Sequence, residues 1–179
     1  YSVKACSNTA SLRVLAKEGA GFDVVSGGEL ARVIRAGGDP GKVVFSGVGK
    51  TEEEVRQALA AGILMFNVES GEELQAIDHA ANEMHAKARI ALRVNPDIDP
   101  KTHAYISTGL KENKFGIPIE QALEYYQTAK GLPNVEVVGV QAGPTVTQYA
   151  VQPFSQADQN GQKAIQRVRV TRVAALGED

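Results

Sequence analysis

The chain has 179 residues, with 19 lysines and arginines against 21 aspartates and glutamates, so its net charge is −2. That balance lacks the basic excess of a nucleic-acid-binding surface. No apolar tract approaches the ~18 residues of a membrane-spanning helix; the best candidate, Ala60 to Phe66, is far too short. A single cysteine, Cys6, excludes an internal disulfide framework and a multi-cysteine zinc site, and fits a reducing, cytoplasmic setting. No signal peptide is visible. The chain opens directly on strand-like residues without an initiator methionine, so it is expected to be part of something longer.

Short apolar runs alternate with amphipathic stretches. The predicted strands are Tyr1–Ala5, Gly21–Val25, Lys42–Ser46, Leu64–Val68, Ala88–Val94 and Val135–Val140. Several are apolar at consecutive positions, as in parallel sheets covered on both faces. Between them, helical spacing predicts one apolar face from Leu12, Leu15 and Ala16, and a second from Leu30, Val33 and Ile34. Val55, Ala58 and Leu59 mark a third, and Leu74, Ile77 and Ala81 a fourth. Ser26…Glu29, Thr51…Glu54 and Ser70…Glu73 fit the capping box that starts a helix, and Gly19, Gly37 and Gly62 sit where helices should stop. A last helix is expected over Ser155–Leu176. The alternation means α/β with a parallel sheet, either an eight-stranded barrel or a doubly wound open sheet. Asn95 to Gly116 is too long for a mere connection and is read as a functional loop. Gln141 to Gln152 reads as polar and irregular.

Both architectures gather their sites at the carboxyl ends of the strands. The residues expected there are Lys4, Asp23, Ser46-Gly47, Asn67 to Glu69, Arg93 to Asn95 and the Gln141 region. Lys4 ends an apolar strand, where it reaches solvent or meets a ligand; a lysine amine of lowered basicity forms a Schiff base with a carbonyl. Asp23 is a turn aspartate, or it holds Lys4 or a cofactor atom. Glu29 reads first as part of a helix cap. The planar fork of Arg93 suits a carboxylate, phosphate or ring oxygen, or a rim salt bridge. Lys50 follows a glycine-rich turn that lacks phosphate-loop spacing, which leaves Thr51 as a cap. His79 and His85 are six apart and share no helix face, so no metal site is expected.

Taken together, several stretches resemble the diaminopimelate decarboxylases, a family of fold-type III enzymes that depend on pyridoxal phosphate and serve lysine biosynthesis. They are Tyr1-Ser2-Val3-Lys4-Ala5, Gly21-Phe22-Asp23-Val24-Val25-Ser26-Gly27-Gly28-Glu29-Leu30 and Phe45-Ser46-Gly47-Val48-Gly49-Lys50-Thr51. Phe66-Asn67-Val68-Glu69-Ser70, Leu92-Arg93-Val94-Asn95-Pro96-Asp97 and the run from His103 to Gly116 continue the match, which spans about residues 1–140. The resemblance implies a (β/α)8 TIM-type barrel, here an incomplete one of about six β/α units over residues 1–179. It implies that Lys4 is the Schiff-base lysine, that Asp23 and Glu29 lie beside the cofactor, and that Arg93 holds the cofactor-side network. The implied reaction is decarboxylation of meso-diaminopimelate to L-lysine and CO2. Its implied setting is cytoplasmic, with a small amino-acid substrate and a homodimer in the full-length protein, and without nucleic-acid or membrane partners.

The resemblance breaks after the sixth strand. The family's His-Ile-Gly-Ser-Gln motif, whose histidine stacks on the cofactor and whose serine helps hold its phosphate, aligns with Gln141-Ala142-Gly143-Pro144-Thr145-Val146-Thr147. Gly143 and Val146 fall at those two positions and cannot replace them. The last barrel strands, the main phosphate loop and the carboxyl-terminal β domain are expected beyond Asp179. A six-stranded barrel leaves two unpaired edges, so the isolated chain is expected to be aggregation-prone and without useful activity. The alternatives are a non-catalytic relative that binds the cofactor, and a decarboxylase of the ornithine or arginine type.

Overall fold

The computed structural model of the chain describes residues 1–95, 115–142 and 148–150. Its core is a parallel sheet of β1 (Phe22–Val24), β2 (Val43–Phe45), β3 (Met65–Val68), β4 (Ala88–Asn95) and β6 (Val135–Ala142). A two-residue β5 (Ile117–Pro118) pairs with the end of β4, and β7 (Gln148–Ala150) runs antiparallel to β6. The helices are α1 (Thr9–Lys17), α2 (Gly27–Arg35), α3 (Glu52–Ala61), α4 (Gly71–Glu83) and α5 (Ala122–Gly131). Parallel neighbours follow one another in chain order without reversal, and α1 packs on α2, α2 on α3 and α3 on α4. A doubly wound sheet reverses its strand order at a switch point. Steady progression with one helical layer is the winding of a barrel, so the fold is a partial (β/α)8-type sheet.

The first predicted strand is corrected. Only Ser2 bridges to β1, opposite Asp23, and Val3–Ala5 form a 3-10 turn. The reason is local: the Ser2 carbonyl accepts from the Ala5 N–H at 3.2 Å and the Val3 carbonyl from the Cys6 N–H at 3.1 Å. An edge segment with one neighbour can satisfy its backbone within itself. Gln141 and Ala142 belong to β6, and part of the stretch read as irregular forms β7. The rest of that stretch, most of the Asn95–Gly116 loop and the expected Ser155–Leu176 helix lie outside the described residues.

The two faces of the sheet differ, which the consecutive apolar runs concealed. Phe22, Val24, Val43, Phe45, Phe66, Val68, Ile90, Leu92 and Val94 form the buried core with Leu12, Leu30, Val33, Val55, Leu74 and Ile77 of the helices. Phe45 and Phe66 stack with ring centroids 6.1 Å apart, and burying each such ring stabilises by about 1.5–3 kcal/mol. Because strand side chains alternate, the residues between them face the other way. Register sets Asn67 opposite Ala91 and Arg93 opposite Gln141. Asp23, Ser46, Asn67, Glu69, Arg93 and Gln141 therefore share the inner face toward the carboxyl edge.

The three capping motifs hold, in two versions. Thr51 and Glu54 form the full reciprocal box at the start of α3. At α2 and α4, Ser26 and Ser70 accept from the N–H groups of Glu29 and Glu73. There each acid reaches one residue further back, Glu29 to the Val25 N–H at 2.8 Å and Glu73 to the Glu69 N–H at 2.9 Å. Gly62 ends α3 at φ 70°, a left-handed conformation that favours glycine.

Glu54 also accepts from the Gly27 N–H at 2.7 Å and so ties α3 to the start of α2. The Gly27 and Thr51 N–H groups hold its carboxyl below its ordinary value. A depressed carboxylate stabilises the fold above its unfolded pKa, and that contribution is lost as pH falls through the folded one. Glu54→Ala is expected to cost about 1 kcal/mol at pH 7. The gap between variant and wild type should narrow below about pH 4. Urea unfolding at the two pH values measures it; an unchanged gap at acid pH would contradict the linkage.

Candidate functional site

A hydrogen-bonded line crosses the inner face at the carboxyl edge. The Asp23 carboxylate accepts from Ser46 Oγ at 2.5 Å and from Ser2 Oγ at 3.4 Å. Ser46 Oγ accepts in turn from Asn67 Nδ2 at 2.9 Å. Further along, Glu69 Oε1 accepts from the Gly47 N–H at 3.0 Å and from Arg93 Nη1 at 2.8 Å. The acid is the buried member of that pair: its side chain is 3% exposed against 25% for Arg93. The Phe115 ring lies over the guanidinium, its centroid 5.8 Å from Arg93 Cζ. Gly116, at φ +98°, backs onto the same residue so closely that a Cβ would meet the Arg93 carbonyl oxygen at 2.8 Å.

Lys50 braces this face from behind. Its Nζ donates to the Gly47 carbonyl at 2.7 Å, the Asn67 carbonyl at 2.8 Å and Glu73 Oε1 at 2.5 Å. Three donors meet three acceptors, and the side chain is 1% exposed. The glycine-rich turn therefore carries a structural cation, a role that its sequence did not reveal.

The predicted site residues part company here. Asp23 and Arg93 lie on the inner face, but neither is paired with Lys4. Lys4 sits one turn past the Ser2–Asp23 bridge, beyond the end of β1, and is exposed. Among the described residues no hydrogen bond or ion pair engages its amine. Glu29 is tied to the Val25 N–H at the start of α2, so the capping reading describes its contacts. Ser46, Asn67 and Glu69 stood at the expected strand ends without assigned roles; the polar-apolar-polar run Asn67-Val68-Glu69 was the signal that two of them share a face.

Outside this face, Glu52, His79 and Glu83 bring ligand atoms within 4.8 Å of one another on the exposed side of α3 and α4. Arg56 occupies that cluster, bonding Glu52 at 2.6 Å and Glu83 at 2.8 Å. It holds the Glu83 carboxyl below its ordinary value, so a resident cation already balances these acids.

Comparison with known proteins bears directly on this edge. Residues 1–171 match the family described as "Pyridoxal-dependent decarboxylase, pyridoxal binding domain". The chain belongs to that family. This pyridoxal-dependent decarboxylase domain is 57% identical over 159 residues to the diaminopimelate decarboxylase of Pseudomonas aeruginosa, covering 88% of this chain and 38% of that protein. It is similar to the crystal structure of the Helicobacter pylori diaminopimelate decarboxylase complexed with L-lysine. There the TM-score is 0.74 and the identity 50%, over 79% of this chain and 36% of that one. A Paramecium bursaria Chlorella virus arginine decarboxylase is similar at TM-score 0.66 but 27% identity, over 79% of this chain and 36% of that one. The chain thus spans less than two-fifths of the length of the relatives named here.

The family's cofactor is pyridoxal phosphate, and the inner face offers a place for such a group. Among the described residues, Asn67 Oδ1, Glu69 Oε2 and Gln141 Oε1 are buried acceptors without a hydrogen-bond partner, and all three share that face. Buried acceptors are rarely left unpaired, so a donor-bearing molecule fits there. At the same edge are the Lys4 amine, without a hydrogen-bond or ion-pair partner among the described residues, and the part-exposed guanidinium of Arg93. No helix among the described residues is long and apolar enough to cross a membrane.

Proposed function

We propose that these residues form the lysine-bearing part of a diaminopimelate decarboxylase, which removes one carboxylate of meso-diaminopimelate as CO2 and leaves L-lysine. One observation carries the reading: of the two lysines at the carboxyl edge, Lys50 has every donor used, while Lys4 has an unengaged amine. The choice of diaminopimelate rests on 57% identity to a named diaminopimelate decarboxylase against 27% to a named arginine decarboxylase.

When bound, pyridoxal phosphate supplies an aldehyde that reacts with amines and a ring that accepts the electron pair left by departing CO2. The chain's own residues do the remaining work. Lys4 Nζ would hold the cofactor, and as a free amine it would take or return a proton. Asp23, steadied by Ser46 and Ser2, presents a fixed negative charge on the inner face. Arg93, kept in place by Glu69, offers its free N–H groups to an anionic oxygen. Glu29 acts at one remove, by setting the start of α2 that follows Asp23. This division of labour orients the reacting bond by fixing its surroundings. The whole protein is proposed to be a cytoplasmic homodimer that takes a small amino acid and neither nucleic acid nor membrane.

A second reading has its own support. Gly143 and Val146 stand where the family carries a histidine and a serine, which favours a chain that binds the cofactor but turns over slowly or not at all. Release of CO2 by the whole protein from meso-diaminopimelate, ornithine and arginine separates the readings. Turnover of diaminopimelate alone is expected. Cofactor binding without CO2 release supports the second reading, and ornithine or arginine turnover alone rejects the diaminopimelate assignment.

A further inference from the structure

We infer that Glu69 is a positioning residue that acts through Arg93, holding the guanidinium with one face toward the cofactor. The inference rests on the function proposed above and adds a residue to it. The ion pair is lopsided in a way that stability does not require. Glu69 is almost fully buried and Arg93 is a quarter exposed. Only one carboxylate oxygen is engaged, by the Gly47 N–H and Arg93, while Oε2 is buried without a partner. An acid placed for stability would have both oxygens satisfied, because a buried carboxylate is costly to leave half-paired. The carboxylate is instead anchored from below. Gly47 is held on both sides, its N–H on Glu69 and its carbonyl on Lys50. The Glu69 N–H is held by Glu73, which also binds Lys50. Glu69 is thus a fixed post, and Arg93 is clamped between it, the Phe115 ring and the Gly116 backbone. Arginine without such a clamp loses several rotatable bonds' worth of freedom on binding an anion; here that ordering precedes the ligand.

The test uses the whole protein, titrated with pyridoxal phosphate and followed by absorbance near the visible edge. Glu69→Gln keeps the shape and removes the charge, and is expected to weaken cofactor binding about tenfold. Arg93→Gln should weaken it at least as much. If Glu69 acts through Arg93, the double variant binds no more weakly than Arg93→Gln alone, within about twofold. A merely structural role instead multiplies the two losses, and that result overturns the inference. Should Glu69→Gln fail to fold, Glu69→Asp retains the charge but not the reach, and the same non-additivity is expected. Wild-type protein that binds no cofactor defeats the proposed function and this inference with it. Wild-type protein that binds it, with Glu69→Gln binding equally well, defeats this inference alone.

Discussion

Lys4→Ala in the whole protein removes the absorbance change that pyridoxal phosphate produces on binding, and it lowers decarboxylation by about three orders of magnitude or more. The size follows from the chemistry. A residue that bonds covalently to the cofactor has no substitute among groups that merely touch it. The competing amine at the edge, Lys50, is held by two backbone carbonyls and Glu73, and freeing it would strip three part-buried acceptors of this donor. Lys4→Arg sharpens the result, because it keeps the positive charge while its guanidinium does not form the bond. Loss of the spectral change in both variants marks a covalent role. A spectral change retained by Lys4→Ala would show that another amine holds the cofactor, and the functional proposal would fail with it. Since Lys4 is exposed and its amine makes no hydrogen bond or ion pair among the described residues, the cofactor-free alanine variant should unfold at the urea concentration of the cofactor-free wild type. That keeps the loss of binding from being read as a loss of fold.

Lys50→Met is expected to destabilise the protein by about 3–5 kcal/mol, the scale of breaking one side of a buried ion pair. The Glu73 carboxylate and the carbonyls of Gly47 and Asn67 all lose their donor at once. A loss of that size is a large part of the ~5–15 kcal/mol that holds a typical domain together. Pairing it with Glu73→Leu removes the stranded charge, so the double variant should recover part of the loss. Urea denaturation of the wild type, the single variant and the double variant measures all three. A cost below about 1 kcal/mol for Lys50→Met would mean that water reaches the ammonium and that the brace is a surface interaction. The site should feel the change too, because Gly47 and Asn67 carry Glu69 and Ser46 through their own hydrogen bonds.

Much of this was legible in the order of residues. Helical spacing placed four helices, and the S/T-x-x-E signals named the starts of three of them correctly, because a cap is a contact between residues three apart. Alternating strands and helices implied a parallel sheet. The family motifs pointed to the edge where Asp23, Asn67 and Arg93 gather. The sequence misled where a property depends on neighbours far along the chain. Tyr1–Ala5 has the composition of a strand, yet its carbonyls close a turn on themselves because only one side meets another strand. Lys50 followed a glycine-rich turn without phosphate-loop spacing, and its sequence assigned it no role. Nothing local could reveal that Asn67 and Glu73, about twenty residues away, would surround it.

Local sequence therefore determined the elements, their ends and the chemical inventory of the carboxyl edge. Those depend on periodicity and short-range hydrogen bonds, which a linear reading can follow. The barrel-type winding was implied by the family resemblance and by no local pattern, and tertiary structure alone decided the polar inner face and the pairing of a buried Glu69 with a half-open Arg93. Each arises from strand register, which sets residues some twenty to fifty positions apart side by side. Register is a collective outcome of packing that no single segment encodes.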